Sequence, residues 1–258
     1  MARVIVISSG KGGVGKTTTA INLGVALNKL KQNVVIVDAN LNTPNVGIHL
    51  GAPIVPVTLN HVLKGKAEVE EAIYEHSSGT KIIPASLSIK EIRKFNTKNL
   101  PSVTNKLRKI SDFIILDSAA GFGDESMSSF EAADEVIIVT NPEMPAVTDA
   151  LKAVKVAREM GKEVKGVIVT RYTGKDYEMS LASIKSMLET PIIAVIPEDK
   201  SVKEAVNMRD AVVHTHPKSR VSRKYNELAV KILGKEAEKD LTKNKNFLSE
   251  FFWKIFGK

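Results

Sequence analysis

A doubly wound α/β fold on a mostly parallel sheet is the architecture this sequence predicts, and three observations predict it. The chain has 258 residues, a length that suits one large α/β domain with a substantial core. Short β-branched runs alternate with longer helical patterns almost throughout, the rhythm of strand–helix–strand units. Most of those runs are almost wholly apolar, as strands are when helices cover both faces of a parallel sheet.

In chain order, strands are expected at Val4–Ile7, Asn33–Val37, Lys81–Ile83, Phe113–Leu116, Glu135–Val139, Val164–Thr170 and Ile192–Ile196. Helical patterns run over Thr17–Leu30, Pro145–Met160, Ser180–Leu188 and Val221–Leu233. Gly161 follows one of them, where a helix C-terminus favours a residue that tolerates positive φ. Met127, Met144, Met179 and Met187 read as core or edge packing. After Gly234 the composition changes, and the boundaries expected are a domain over 1–234, a polar linker over 235–246 and an amphipathic helix over 247–258.

Composition narrows the function classes. Apolar residues make up 43% and charged residues 26%, an ordinary globular mix that excludes disorder of the whole chain. The absence of Cys excludes disulfides, thiolate metal sites and cysteine-ligated iron–sulfur clusters. No stretch approaches membrane-spanning length, and Val4–Ile7 is too short for a secretory apolar region; a cytoplasmic protein is expected. The net charge of +8 fits nucleic acid, anionic lipid, phosphorylated ligands or simply a solvated surface.

The strongest motif is Gly10-Lys11-Gly12-Gly13-Val14-Gly15-Lys16-Thr17, followed by Thr18. It matches G-x-x-x-x-G-K-[ST] in the required context, between an expected strand and an expected helix. Glycines let backbone N–H groups turn inward around phosphates, and the helix N-terminus adds its positive dipole end. Lys16 is then expected to reach the β- and γ-phosphates, with the Thr17 hydroxyl on Mg²⁺. Two apolar strands end in carboxylates, Asp38 and Asp117, at the end of an open sheet where ligands bind. Both are candidates for metal and switch roles.

Lys11, ahead of the usual lysine, makes the loop resemble that of the deviant Walker A ATPases, MinD, ParA and their relatives. Further matches are Val37-Asp38-Ala39-Asn40-Leu41, Pro44-Asn45-Val46-Gly47, Leu116-Asp117-Ser118-Ala119-Ala120-Gly121, Thr140-Asn141-Pro142-Glu143 and Ile196-Pro197-Glu198-Asp199. This similarity spans the first strand to about Gly234. It implies a P-loop ATPase fold, ATP and Mg²⁺ as ligands, hydrolysis of ATP, and a homodimer formed on ATP binding in which Lys11 contacts the phosphates of the other subunit. It also places adenine near Pro197, Glu198 and Asp199. The usual Asn-Arg pair stands here as Thr170-Arg171; Thr170 lacks the amide, and Asn141 is the residue that could share base reading with Arg171.

A departure bears on catalysis. The family commonly has a second Asp two residues after the first, and this chain has Asn40. An amide accepts a hydrogen bond from water but cannot take its proton. Two readings stay open: slowed hydrolysis with a long-lived ATP dimer, or another group that positions the water.

The last segment gathers five of the chain's aromatic residues. At about 100° per residue, Phe247, Leu248, Phe251, Phe252, Ile255 and Phe256 share one half-circle, with Glu250 and Lys254 opposite and Trp253 near the boundary. Together with Lys243, Lys245 and Lys258 this reads as an interfacial helix for an anionic membrane, and MinD proteins end in such a helix. A helix docked on its own domain or on a dimer partner is the alternative. The expected behaviour is a MinD-like ATPase, peripheral at the inner face of the cell membrane, that recruits or positions an unidentified protein partner. Its rivals are a ParA-like ATPase binding DNA nonspecifically, for which Lys218, Arg220, Arg223 and Lys224 would serve, and a nearly non-hydrolysing ATP-switched scaffold.

Overall fold

The apolar run that opens the chain becomes the centre of the sheet. In the computed structural model, which describes residues 2–92 and 97–234, the strands are β1 (Arg3–Ser8), β2 (Val34–Ala39), β3 (Tyr74–Glu75), β4 (Lys81–Ile83), β5 (Phe113–Ser118), β6 (Glu135–Thr140), β7 (Glu163–Tyr172) and β8 (Ile192–Pro197). They form one sheet in the order β3-β4-β2-β5-β1-β6-β7-β8. All pairings are parallel except β3 with β4, where Tyr74 faces Ile82. The seven expected strands are all present, with no end displaced by more than two residues; β3, an edge hairpin partner, is additional. The expected linker 235–246 and helix 247–258 lie outside the described residues.

The helices are α1 (Lys16–Lys29), α2 (Val46–His49), α3 (Leu59–Leu63), α4 (Ile89–Ile92), α5 (Leu100–Leu107), α6 (Asp124–Ala132), α7 (Met144–Glu159), α8 (Leu181–Leu188), α9 (Lys200–Asn207), α10 (Val212–Thr215) and α11 (Arg220–Leu233). Each face of the sheet has its own core. On one, Ile5, Ile7, Ile36 and Ile115 pack with Leu23 and Leu27 of α1 and Tyr225 and Leu228 of α11. On the other, Val4, Val6, Leu116 and Ile138 pack with Phe130 of α6, Leu107 of α5 and Val154 of α7. Alternate residues of one strand thus enter opposite cores, which is why the strands read as unbroken apolar runs.

Local signals fix the helix ends. Ser180, Asp199 and Ser219 cap α8, α9 and α11 by accepting from the backbone N–H of Ser183, Ser201 and Ser222, each satisfying a donor the helix cannot. Gly161, behind α7, takes φ 69°. Met127, Met179 and Met187 pack partly buried on the core. Met144, the first residue of α7, departs from the packing expected of it and is 56% exposed.

What positions the site is the topology. β1 lies between β5 and β6; the chain up to β5 builds one flank and β6–β8 the other. The loop after β1 therefore emerges where the strand order turns, at the carboxyl end of a parallel sheet. Asp38 and Asp117 are register partners on β2 and β5, two strands and one strand from the turn point respectively.

Candidate active site

The loop between β1 and α1 has the backbone of an anion cradle. Gly13 and Gly15 adopt φ of 76° and 97°, left-handed values that any side chain would strain. Gly15 is also the N-cap of α1 and makes no side-chain cap bond, so the first N–H groups of the helix face the loop. Gly10 is required for a different reason. A Cβ there would stand 2.2 Å from the backbone oxygen of Asp149 in α7.

Lys16 is only 8% exposed, and its Nζ donates to Ser9 Oγ at 3.0 Å. Burial lowers its pKa, with the Asp117 charge pulling the other way. The Thr17 hydroxyl donates to Asp117 Oδ2 at 2.6 Å. Asp117 Oδ1 is buried and has no hydrogen-bond partner, and burial pushes the Asp117 carboxyl up to about 6. A hydroxyl joined to a carboxylate with one spare buried oxygen is the hard-oxygen donor set that Mg²⁺ takes together with retained waters. These residues fit ATP–Mg²⁺: the loop and Lys16 would hold the phosphates, and Thr17 and Asp117 the metal. When bound, Mg²⁺ neutralises charge on the phosphate oxygens.

Asp38 is differently engaged. It is fully buried, and its oxygens accept the backbone N–H groups of Asn45 and Val46, both at 2.9 Å, and of Asn40 at 3.3 Å. Burial, then the Asp117 charge, raises its pKa well above the ordinary range, against the pull of those three bonds. The carboxylate thereby anchors the loop from Asn40 to Asn45. The Asn40 side chain adds two bonds of its own: its Nδ2 donates to the Thr43 carbonyl at 2.6 Å, and its Oδ1 accepts from the Thr43 hydroxyl at 3.0 Å.

On the other flank, Thr170 connects the phosphate loop to Asn141. Its Oγ1 lies 2.6 Å from the Val14 carbonyl and 2.8 Å from Asn141 Oδ1. The hydroxyl has one proton, so donating it to Val14 leaves Asn141 to meet Thr170 through its N–H₂, with the amide turned over. Arg171 is exposed at φ 54°. The Glu198 N–H donates to the Tyr172 carbonyl at 3.1 Å, which holds the Pro197–Asp199 turn beside the end of β7. The Asp199 carboxylate is occupied as the cap of α9. Lys11 is exposed, its Nζ 3.6 Å from Glu143 Oε2.

Lys16, Thr17, Asp38 and Asp117 are therefore gathered at one end of the sheet, while Lys11 and Arg171 present charges to solvent. The membrane-binding residues expected at Phe247, Leu248, Phe251, Phe252, Trp253, Ile255 and Phe256 lie outside the described residues. His214 and His216 sit beside acids, Asp210 at 2.7 Å and Glu204 at 3.2 Å. Among the described residues no helix is long and apolar enough to cross a membrane. Two buried acids have no counterpart in the motifs: Glu135, paired with Arg3, and Glu125, in the first turn of α6. In sequence an acid there is an ordinary partner of the helix dipole.

Comparison with known proteins agrees with this geometry. The family model described as the CobQ/CobB/MinD/ParA nucleotide binding domain matches residues 5–212. An uncharacterized ATP-binding protein of Methanocaldococcus jannaschii is 37% identical over 259 residues, covering 100% of this chain and 98% of its own. The septum site-determining protein MinD of Pyrococcus horikoshii OT3, solved with Mg-ADP, superposes with a TM-score of 0.87 at 34% identity, over 92% of this chain and 98% of that one. A chain of the MinC:MinD cell division protein complex of Aquifex aeolicus gives 0.82 at 29% identity, over 91% and 96%.

Proposed function

Because the chain belongs to the CobQ/CobB/MinD/ParA nucleotide-binding family, we propose that it is a MinD-like ATPase in which ATP-driven dimerisation controls membrane binding and, through it, the recruitment or positioning of a protein partner. The observation that carries this reading is the joining, in one sequence, of a complete phosphate loop to a segment whose six apolar residues share one half-circle when read at about 100° per residue, behind a lysine-bearing stretch. A MinD solved in complex with MinC supports a protein partner for this chain.

The energetics favour a switch over a permanent anchor. Six partly buried Phe, Leu and Ile side chains offer about 6–10 kcal/mol. Ordering the segment as a helix on binding opposes that gain and offsets most of it. One such helix binds marginally, whereas two on a dimer gain roughly 10²–10⁴ in avidity. Nucleotide state can then set location without touching the helix.

Co-sedimentation with anionic liposomes tests this, using the full chain and a chain ending at Lys245, each with ATP–Mg²⁺ or ADP. Pelleting is expected only for the full chain and only with ATP. If both chains stay in the supernatant with either nucleotide, membrane binding is refuted, and a salt-sensitive, ATP-dependent shift of DNA would put a partitioning role in its place.

A further inference from the structure

One hydroxyl at the start of the phosphate loop touches more of the site than any motif assigns to it. Ser9, the residue after β1, is 1% exposed. Its Oγ donates to the Lys11 carbonyl at 2.6 Å and accepts from Lys16 Nζ at 3.0 Å. No other arrangement of protons is open to this group: an ammonium only donates and a carbonyl only accepts, so the single hydroxyl proton goes to Lys11. The Ser9 carbonyl in turn accepts the Gly121 N–H at 3.1 Å, from the loop that follows Asp117. One residue thereby meets both halves of the phosphate loop and the loop behind Asp117.

Each contact constrains something the loop needs. The peptide joining Lys11 to Gly12 is planar and trans, with its carbonyl and its N–H pointing in opposite directions. Holding the Lys11 carbonyl therefore fixes the direction of the Gly12 N–H, a backbone donor of the cradle. Glycine accepts almost any φ, so the chain at Gly12 does little to resist rotation of that peptide. Packing does little either, since a Cβ on Gly12 would meet nothing nearer than Ala120 at 3.9 Å. The Ser9 bond supplies the restraint. On its other side, Lys16 is buried, and an ammonium away from water needs acceptors. Ser9 takes one of its three N–H groups and leaves two for phosphate oxygens. Ser8, the neighbour in β1, offers a contrast: its Oγ is buried with no hydrogen-bond partner among the described residues.

We infer that Ser9 is a positioning residue of this ATPase, its hydroxyl holding the Lys16 ammonium and the Lys11–Gly12 peptide in register with each other before the nucleotide arrives. The inference rests on the ATPase reading of the site and not on membrane binding. Ser9 touches no reacting atom. As water oxygen bonds to the γ-phosphorus and the bond to the β,γ-bridging oxygen breaks, ATP and water give ADP, phosphate and a proton. The negative charge that spreads over the phosphate oxygens meets Lys16 and the N–H groups of the loop. Such groups stabilise a transition state by standing in place beforehand, and small displacements of them are costly. Affinity is less sensitive, because several loop N–H groups share the phosphates. Removing the hydroxyl should therefore slow hydrolysis while leaving binding nearly intact.

Ser9→Ala removes both hydroxyl bonds and keeps the backbone bond to Gly121. Ser8→Ala removes the unpaired hydroxyl beside it and is the control. On the unaltered chain and both variants, hydrolysis is measured against ATP concentration with Mg²⁺, binding with a fluorescent ADP analogue, and folding by thermal melting. Ser9→Ala is expected to lower kcat by roughly 10- to 100-fold, and to melt within a few degrees of the unaltered chain. Its KM and analogue affinity should stay within about threefold of the unaltered values, the pattern of an interaction used in the transition state more than in the ground state. A merely structural role would move affinity and melting together with the rate. Ser8→Ala is expected to match the unaltered chain in all three measurements. The inference is overturned if Ser9→Ala keeps the unaltered kcat, if KM and affinity worsen as much as kcat falls, or if Ser8→Ala loses as much rate. With an active unaltered chain, each of these outcomes leaves the ATPase reading standing. An unaltered chain that binds the analogue but hydrolyses no ATP defeats the ATPase reading, and the inference falls with it.

Discussion

At the scale of single residues, the site is a cluster of charges held under strain until its ligand arrives. Asp38 and Asp117 are both buried, and burial raises both pKa values, that of Asp117 to about 6. A raised carboxyl binds its proton more tightly in the folded chain than in the unfolded one. Its contribution to stability is therefore complete below the unfolded value near pH 4 and is lost as pH rises through about 6. Above that, the ionised carboxylates are a standing cost that a divalent cation relieves. The Mg²⁺-dependent part of the stabilisation by ADP should then grow between pH 5 and pH 7. A tenfold gain in affinity adds about 1.4 kcal/mol, roughly 2–6 °C in melting temperature for a domain of this size. The measurement is melting with ADP, with Mg²⁺ or with EDTA, at both pH values; Asp117→Asn should flatten the difference, which controls for titration of the nucleotide itself. A Mg²⁺ increment equal at the two pH values would show that Asp117 is not the group being relieved.

Elements hold that cluster in place by contacts between loops and helices, and Gly10 shows how little room there is. Its missing Cβ leaves the space taken by the Asp149 backbone, 2.2 Å from where the Cβ would be. Gly10→Ala must displace α7 or the phosphate loop, at a cost of about 1–3 kcal/mol for overpacking. Melting should fall by several degrees and nucleotide affinity should weaken with it. Gly12→Ala is the control, since its nearest neighbour would be 3.9 Å away: melting should move by less than about 0.5 kcal/mol. Equal melting of the two variants would mean that the α7 contact does not constrain the loop. The same contrast explains what could be read in the sequence. The parallel strands were legible because two cores make their residues apolar without alternation, and α1, α7, α8 and α11 because each carries a helical pattern. β3 has two residues and no pattern of its own. α6 turns Glu125, Ser126, Ser128 and Ser129 inward beside Phe130 and Ala132, so polar residues interrupt the apolar period of its buried face. In the site, the phosphate loop was legible because its chemistry demands a fixed spacing. The anchoring of the 40–45 loop by Asp38 and the burial of Glu125 depend on contacts between distant segments, which spacing does not encode.

For the whole molecule, the question is how a fold with its ligands at one end of the sheet makes a switch, and Lys11 is where that can be tested. Its side chain is 44% exposed and faces Glu143 at 3.6 Å, itself 59% exposed. An ion pair that open to water contributes at most about 1 kcal/mol, so little holds the lysine to its own subunit. In the proposed ATP-bound dimer it reaches phosphates across the interface, adding positive charge where the transition state spreads negative charge. Lys11→Ala should then keep its melting temperature and its ADP affinity. It should lose ATP-dependent dimerisation, read by light scattering, and hydrolysis should fall by roughly 10³-fold, the low end for a cation supplied in trans. Retention of the unaltered rate and dimer would confine Lys11 to its own loop. The consequence for location follows without any change to the tail: a variant that cannot dimerise presents one terminal helix instead of two and forfeits the avidity of about 10²–10⁴. Liposome pelleting with ATP should drop to the ADP level in Lys11→Ala even though residues 247–258 are intact. Pelleting that persists in a monomeric Lys11→Ala would mean that one helix is enough and that nucleotide acts on the tail by a route other than dimerisation.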